Sequence, residues 1–123
     1  MAKRVLIVDD SQITLGISSF TISSAGYKAF TALGGLEALE IMDSSSVDLA
    51  LVDINMPGMD GYTLIRKIRA DSIFGEVPVI IITTEAEAKD KQKGFEAGAN
   101  GYLIKPVSPE EMIAQIQLLI GKA

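Results

Sequence analysis

Apolar and polar positions along the chain fall into two alternating kinds of block. Short β-branched or alternating runs at 4–8, 28–32, 47–52, 78–82 and 101–104 read as strands. Between them lie longer stretches with helical spacing. Ser11 caps a helix running to about Ala25, with Gly26 as its stop. Gly34-Gly35 opens a second helix at 36–43, stopped by Ser44-Ser45-Ser46. A third covers 62–70 with Leu64, Ile65 and Ile68 on its core face. A fourth, rich in charge, covers 85–97 and stops at Gly98. Ser108-Pro109-Glu110-Glu111 starts the last helix, which runs to about Ile120.

Strand and helix alternating at this spacing predict an α/β fold, a five-stranded parallel sheet wound on both faces by helices. The runs RVLIV, DLALV and PVIII are almost continuously apolar, as strands covered on both sides must be. No linker, repeat or low-complexity segment interrupts them, so residues 1–123 read as a single domain.

Composition narrows the partners. Apolar residues make up 48% of the chain, enough for a core, but no run is long enough to span a membrane and no secretory segment is present. A net charge of -5 disfavours binding to a phosphate backbone. Cysteine is absent, which excludes thiolate metal sites and suits a cytoplasmic setting. Histidine is absent too, so the chain cannot use it as base, ligand or phosphoryl carrier.

The chemistry lies where the strands end. The first strand runs into Asp9-Asp10, the third into Asp53, the fourth into Thr83-Thr84 and the fifth into Lys105. In a parallel sheet these ends share one edge, the edge at which open α/β sheets bind ligands. Clustered carboxylates repel unless a cation joins them. An all-oxygen donor set with phosphate oxygens to follow suits Mg²⁺.

These residues, with Pro57-Gly58-Met59-Asp60-Gly61 behind Asp53 and Pro106 behind Lys105, resemble the receiver domain of two-component response regulators over almost the whole chain. Asn55, Glu85 and Tyr102 make it most similar to the single-domain chemotaxis type. The resemblance implies the flavodoxin-like strand order 2-1-3-4-5, the order for which a chemotaxis receiver is a standard example. It implies that Asp53 accepts a phosphoryl group from a phosphohistidine on a sensor histidine kinase or a histidine phosphotransfer domain. Asp9, Asp10, Asp53 and the Asn55 carbonyl would hold Mg²⁺, with Asp9 acting through water. Lys105 and Thr83 would contact the phosphoryl oxygens, and Asn55 and Glu85 would tune dephosphorylation. Tyr102 would follow Thr83 inward, signalling to a downstream protein through the fourth helix, fifth strand and fifth helix. The Lys105-Pro106 bond is expected to be cis. Such a domain is a signalling switch rather than an enzyme with a separate substrate, although it promotes its own phosphorylation and slow dephosphorylation.

Other readings fit less well. The start of a Ca²⁺ loop at Asp53 lacks its glutamate, because Leu64 stands at the twelfth position. An FMN binder wants a phosphate cradle where Asp9-Asp10 stand. An aspartate phosphohydrolase wants a second acid where Asn55 stands.

The first helix departs from what the resemblance leads one to expect. No charge occurs from Ser11 through Tyr27. A helical wheel puts Ile13, Ile17 and Phe20 on one face, taken as the core. Leu15 and Ile22 fall opposite, either as two stray apolar residues of a neutral surface helix or as a docking patch for the kinase's helical domain or for a second copy in a homodimer.

Overall fold

The computed structural model describes residues 2–123. The chain forms β1 (Arg4–Val8), α1 (Gln12–Ser24), β2 (Lys28–Ala32), α2 (Gly35–Ser44), β3 (Leu49–Asp53), α3 (Gly61–Ala70), β4 (Val79–Thr83), α4 (Ala88–Ala97), β5 (Gly101–Ile104) and α5 (Pro109–Ile120). The five strands are parallel in the order β2-β1-β3-β4-β5, as the resemblance implied.

Successive residues of a strand face opposite sides, so each strand feeds two cores. Leu6, Val8, Ala50, Val52 and Ile81 face α2, α3 and α4, meeting Ala38, Leu64, Ile65, Ile68 and Ala97. Val5, Ile7, Leu49, Leu51 and Ile80 face α1 and α5, meeting Leu15, Ile22, Met112 and Ile116. Polar side chains start three of the helices. Ser11, Asp60 and Ser108 accept hydrogen bonds from the backbone N–H groups of Thr14, Thr63 and Glu111. One half-buried cation rivets the sheet's far edge. Arg69 donates to the carbonyls of Gly75, Val77 and Gly98 and to Asn100 Oδ1, and Asn100 Oδ1 also accepts from the Val79 N–H.

Two expectations need correction. The orientation of α1 is inverted. Leu15 and Ile22 are 6% and 0% exposed, while Ile13, Ile17 and Phe20 are 79%, 64% and 75% exposed. Leu15 and Ile22 are therefore core and unavailable for docking. The helix carries two opposed apolar stripes and no charge to mark the solvent side. Its orientation is set by packing on Val5, Ile7 and Leu51, which periodicity within α1 cannot express. The fourth helix also starts later, at Ala88 rather than residue 85. Residues 84–87 form a loop above β4, held partly by the Thr83 side chain.

Candidate active site at the carboxyl edge of the sheet

Register decides what meets at the edge. Val8 pairs with Val52, Asp53 with Ile82, and Thr83 with Ile104. Asp9, Asp53, Thr83 and Lys105 therefore leave neighbouring strands at nearly one level. Asp9, Asp53 and Thr83 are all buried, whereas Asp10 opens to solvent. Carboxylate oxygens of Asp9, Asp10 and Asp53 lie within 4.8 Å of one another.

Lys105 closes the cluster. Its Nζ donates to Asp9 Oδ2 at 3.1 Å and to Asp53 Oδ2 at 3.3 Å. The remaining oxygens of these two carboxylates accept backbone N–H groups, Asp9 Oδ1 from Ser11 at 2.9 Å and Asp53 Oδ1 from Asn55 at 3.3 Å. The Lys105-Pro106 bond is cis. Gly61 lets the start of α3 press on the Asp53 backbone. A Cβ there would lie 2.5 Å from the Asp53 carbonyl oxygen, so the loop 54–60 folds back tightly on the strand that carries the acid.

Burial pushes the Asp53 carboxyl up, the Lys105 ammonium opposes this, and the neighbouring Asp9 adds to it; the net direction is upward. Burial would lower the Lys105 ammonium. The hydrogen bond to Asp9 and the charges of Asp53 and Asp9 outweigh it and raise the group instead. Three carboxylates against one ammonium leave an uncompensated negative charge in a partly buried, all-oxygen site. That charge and the lack of nitrogen or sulfur donors fit a hard divalent cation such as Mg²⁺. Asp10 offers the open side.

The Glu85 backbone joins two other expected residues, which the sequence reading missed. Its N–H donates to Thr83 Oγ1 at 3.3 Å, and its carbonyl accepts from the Tyr102 hydroxyl at 2.8 Å. Main-chain bonds of this kind carry no residue signature. The Glu85 side chain was expected at a helix start; instead it lines a cavity of about 340 Å³ together with Asn55, Asp60, Tyr62, Asp90 and Lys93. Tyr62 was likewise read only as a helix member. Burial first, then Tyr62, Asp90 and Glu85, push the Tyr102 hydroxyl up to about 12.

Comparison with known proteins places this geometry. Residues 5–117 match the family model described as the response regulator receiver domain. Chemotaxis protein CheY1 of Helicobacter pylori is 37% identical over 120 residues, covering 96% of this chain and 97% of that protein. The chain spans about half the length of other curated relatives. The probable transcriptional regulator ycf27 of Cyanidium caldarium is 40% identical over 97% of this chain but only 47% of its own length. Among solved structures, chemotaxis protein CheY4 of Vibrio cholerae superposes with a TM-score of 0.93 at 35% identity, covering 97% of this chain and 99% of that one. The receiver domain of sensor histidine kinase PA1611 from Pseudomonas aeruginosa has a TM-score of 0.90 at 30% identity, covering 99% and 100%. In that structure a magnesium ion is coordinated in the active site cleft.

Proposed function

The chain belongs to the response regulator receiver domain family, and on that premise we propose that it is a phosphorylation-driven switch with Asp53 as the phosphoryl acceptor. The observation that carries this reading is Lys105 bonded to both Asp9 and Asp53, at the one edge where three carboxylates meet. The donor is a phosphohistidine on a sensor histidine kinase or a phosphotransfer domain, since this chain has no histidine of its own.

An Asp53 oxygen attacks the phosphorus in line, the P–N bond breaks, and its electron pair leaves with the imidazole. The product is an acyl phosphate on Asp53. When bound, Mg²⁺ supplies neutralisation of the charge that builds between two anionic reactants; Asp10, Asp53 and the Asn55 carbonyl would hold it, with Asp9 acting through water. Lys105 is already anchored by Asp9, so its ammonium can donate a hydrogen bond to a phosphoryl oxygen while Asp9 keeps it in place. The Thr83 hydroxyl serves a second oxygen. As Thr83 turns towards that oxygen, its long contact with the Glu85 N–H shifts with it, and Glu85 carries the change to Tyr102 through its carbonyl. The altered surface is the α4, β5 and α5 face, which a downstream protein reads. Asn55 and Glu85 border one cavity beside the acid, where they control the approach of water to the phosphoryl group. The cysteine-free composition suits a cytoplasmic setting.

A small acyl-phosphate donor with Mg²⁺ is expected to add one phosphoryl group, at Asp53. Mass spectrometry after borohydride trapping reads it. Label surviving at wild-type yield in Asp53→Ala would overturn the assignment.

A further inference from the structure

The strand order sets two connections on either side of the first acidic pair. β1, with Asp9 and Asp10 beyond its end, lies between β2 and β3. The β2–α2 connection is tied to it, since the Asp9 N–H donates to the Ala32 carbonyl at 3.1 Å. On the other side comes loop 54–60, which carries the Asn55 carbonyl. The base of that loop is fastened. The Asn55 N–H donates to Asp53 Oδ1, and the Gly61 N–H donates to the Ile54 carbonyl at 2.9 Å. Its outer part is not. Residues 56–59 make no hydrogen bond to another helix or strand among the described residues, and Gly58 turns the chain there with a φ of 80°.

Packing of one side chain holds the outer part instead. Met59 is half-buried and lies over the first residue of α2. A Cβ at Gly35 would run into Met59 Sδ and would lie 3.1 Å from its Cγ and 3.2 Å from its Cβ, so its three nearest atoms all belong to Met59. Turning the end of the methionine cannot relieve this, because Cβ is fixed to the loop backbone. Gly35 is buried and stands in helical backbone, outside the left-handed region. Alanine forms helix better than glycine, so α2 has no backbone need of a glycine there. The need comes from Met59.

We propose that Met59, seated on the bare backbone of Gly35, is a positioning residue for the divalent cation: it pins loop 54–60 to α2 and so holds the Asn55 carbonyl at the acidic edge. This role rests on the reading of that carbonyl as a Mg²⁺ ligand beside Asp53, and it deepens that reading by naming what sets the ligand's place. Mg²⁺ tolerates little departure from octahedral geometry. A carbonyl on an unpinned loop would have to be ordered each time the ion binds, and a loop seated beforehand avoids that cost.

The test uses Gly35→Ala, Met59→Ala, Met59→Leu and the double variant of Gly35→Ala with Met59→Ala. Mg²⁺ titrations are followed by the NMR shifts of the Asp10 and Asn55 amides, and amide hydrogen exchange is measured on the metal-free proteins. Gly35→Ala is expected to weaken Mg²⁺ binding by about tenfold, the scale for losing a group that orients a metal ligand. Met59→Ala should cost a similar factor, whereas Met59→Leu, close in volume, should stay within about twofold of wild type. In the Met59→Ala background Gly35→Ala should add less than about twofold, because the side chain it displaces is gone. Without metal, the Gly61 amide should exchange faster in Gly35→Ala than in wild type. A merely structural seat would lower the urea midpoint of Gly35→Ala and leave its Mg²⁺ curve as in wild type. That result, or an equal factor for Gly35→Ala in both backgrounds, would overturn the proposal. Failure of the wild type to bind Mg²⁺ would count against the ligand reading itself. The Gly61 amide would still decide the pin, which an unchanged exchange rate in Gly35→Ala would overturn.

Discussion

Asp53 is buried beside Asp9 and shares one ammonium with it, so at neutral pH it holds a charge that the fold does not fully compensate. Its carboxyl is raised from the ordinary value of 3.8, with burial the largest cause. The folded state therefore keeps the Asp53 proton to higher pH than the unfolded chain does. Stability from this group is full below about 3.8 and falls as pH rises through the folded value. Asp53→Asn removes the charge and leaves Lys105 its bond to Asp9. In metal-free buffer at pH 7 it is expected to raise the unfolding free energy by about 1 kcal/mol, the scale of one partly screened like-charge contact. The gap from wild type should close as pH falls towards 4, to be read from urea midpoints at several pH values. A variant less stable than wild type at pH 7 would mean that the Lys105 contacts outweigh the burial. Every acid and base at this edge was legible in the sequence, because strand ends in a parallel sheet share a side. The pairing of Lys105 with Asp9 was not, since its reach across the edge depends on register and loop path. The Glu85 bridge was hidden for a different reason, that it is made of main-chain atoms.

Among the helices, α3 and α1 show what periodicity can and cannot decide. In α3 the apolar face is single, Leu64, Ile65 and Ile68, and Arg66 and Lys67 mark the solvent side, so the core was readable. In α1 both sides are apolar and neither is charged, so the reading chose the wrong one. The structure turns this into a contrast in stability. Leu15→Ala empties a place between α1 and the sheet and is expected to cost about 2–4 kcal/mol. Phe20→Ala removes a larger side chain from solvent and should change stability by less than about 0.5 kcal/mol. Denaturant midpoints of the two variants decide it, and equal losses would contradict the observed orientation. A second contrast concerns Arg69. Its guanidinium bonds three backbone carbonyls and Asn100, tying α3 to the loops around β4 and β5. Burial lowers this group, and no carboxylate among the described residues is paired with it. Lysine cannot reproduce so many directed donors from one plane. Arg69→Lys is expected to cost about 2 kcal/mol although charge is conserved, because partly buried carbonyls lose their partners. A thermal midpoint equal to wild type would show that water replaces the guanidinium there.

For the molecule as a whole, residue chemistry indicated a parallel α/β sheet with an acidic edge but left strand order open, because parallel crossovers of similar length look alike along the chain. Resemblance supplied the order, and the structure has it. What that order brings together is a cluster of like charges, which makes global stability sensitive to cations. Asp9, Asp10 and Asp53 converge within 4.8 Å only in the folded chain, since they come from two strands separated in sequence. A divalent cation held there binds the native state and has no comparable site in the unfolded one. At ten times its dissociation constant such an ion stabilises a protein by about 1.4 kcal/mol. Mg²⁺ is thus expected to raise the denaturation midpoint in a saturable way. Monovalent salt at equal ionic strength should do much less, because screening weakens the repulsion without bridging the oxygens. Asp10→Asn tests the site more sharply than removal of a buried acid would. Asp10 is exposed and makes no salt bridge among the described residues, so the variant should fold as the wild type does in metal-free buffer. With one fewer charged donor it should need about tenfold more Mg²⁺ to reach the same midpoint. If wild type and Asp10→Asn respond to Mg²⁺ along the same curve, the cation is held elsewhere and the acidic edge is not its site.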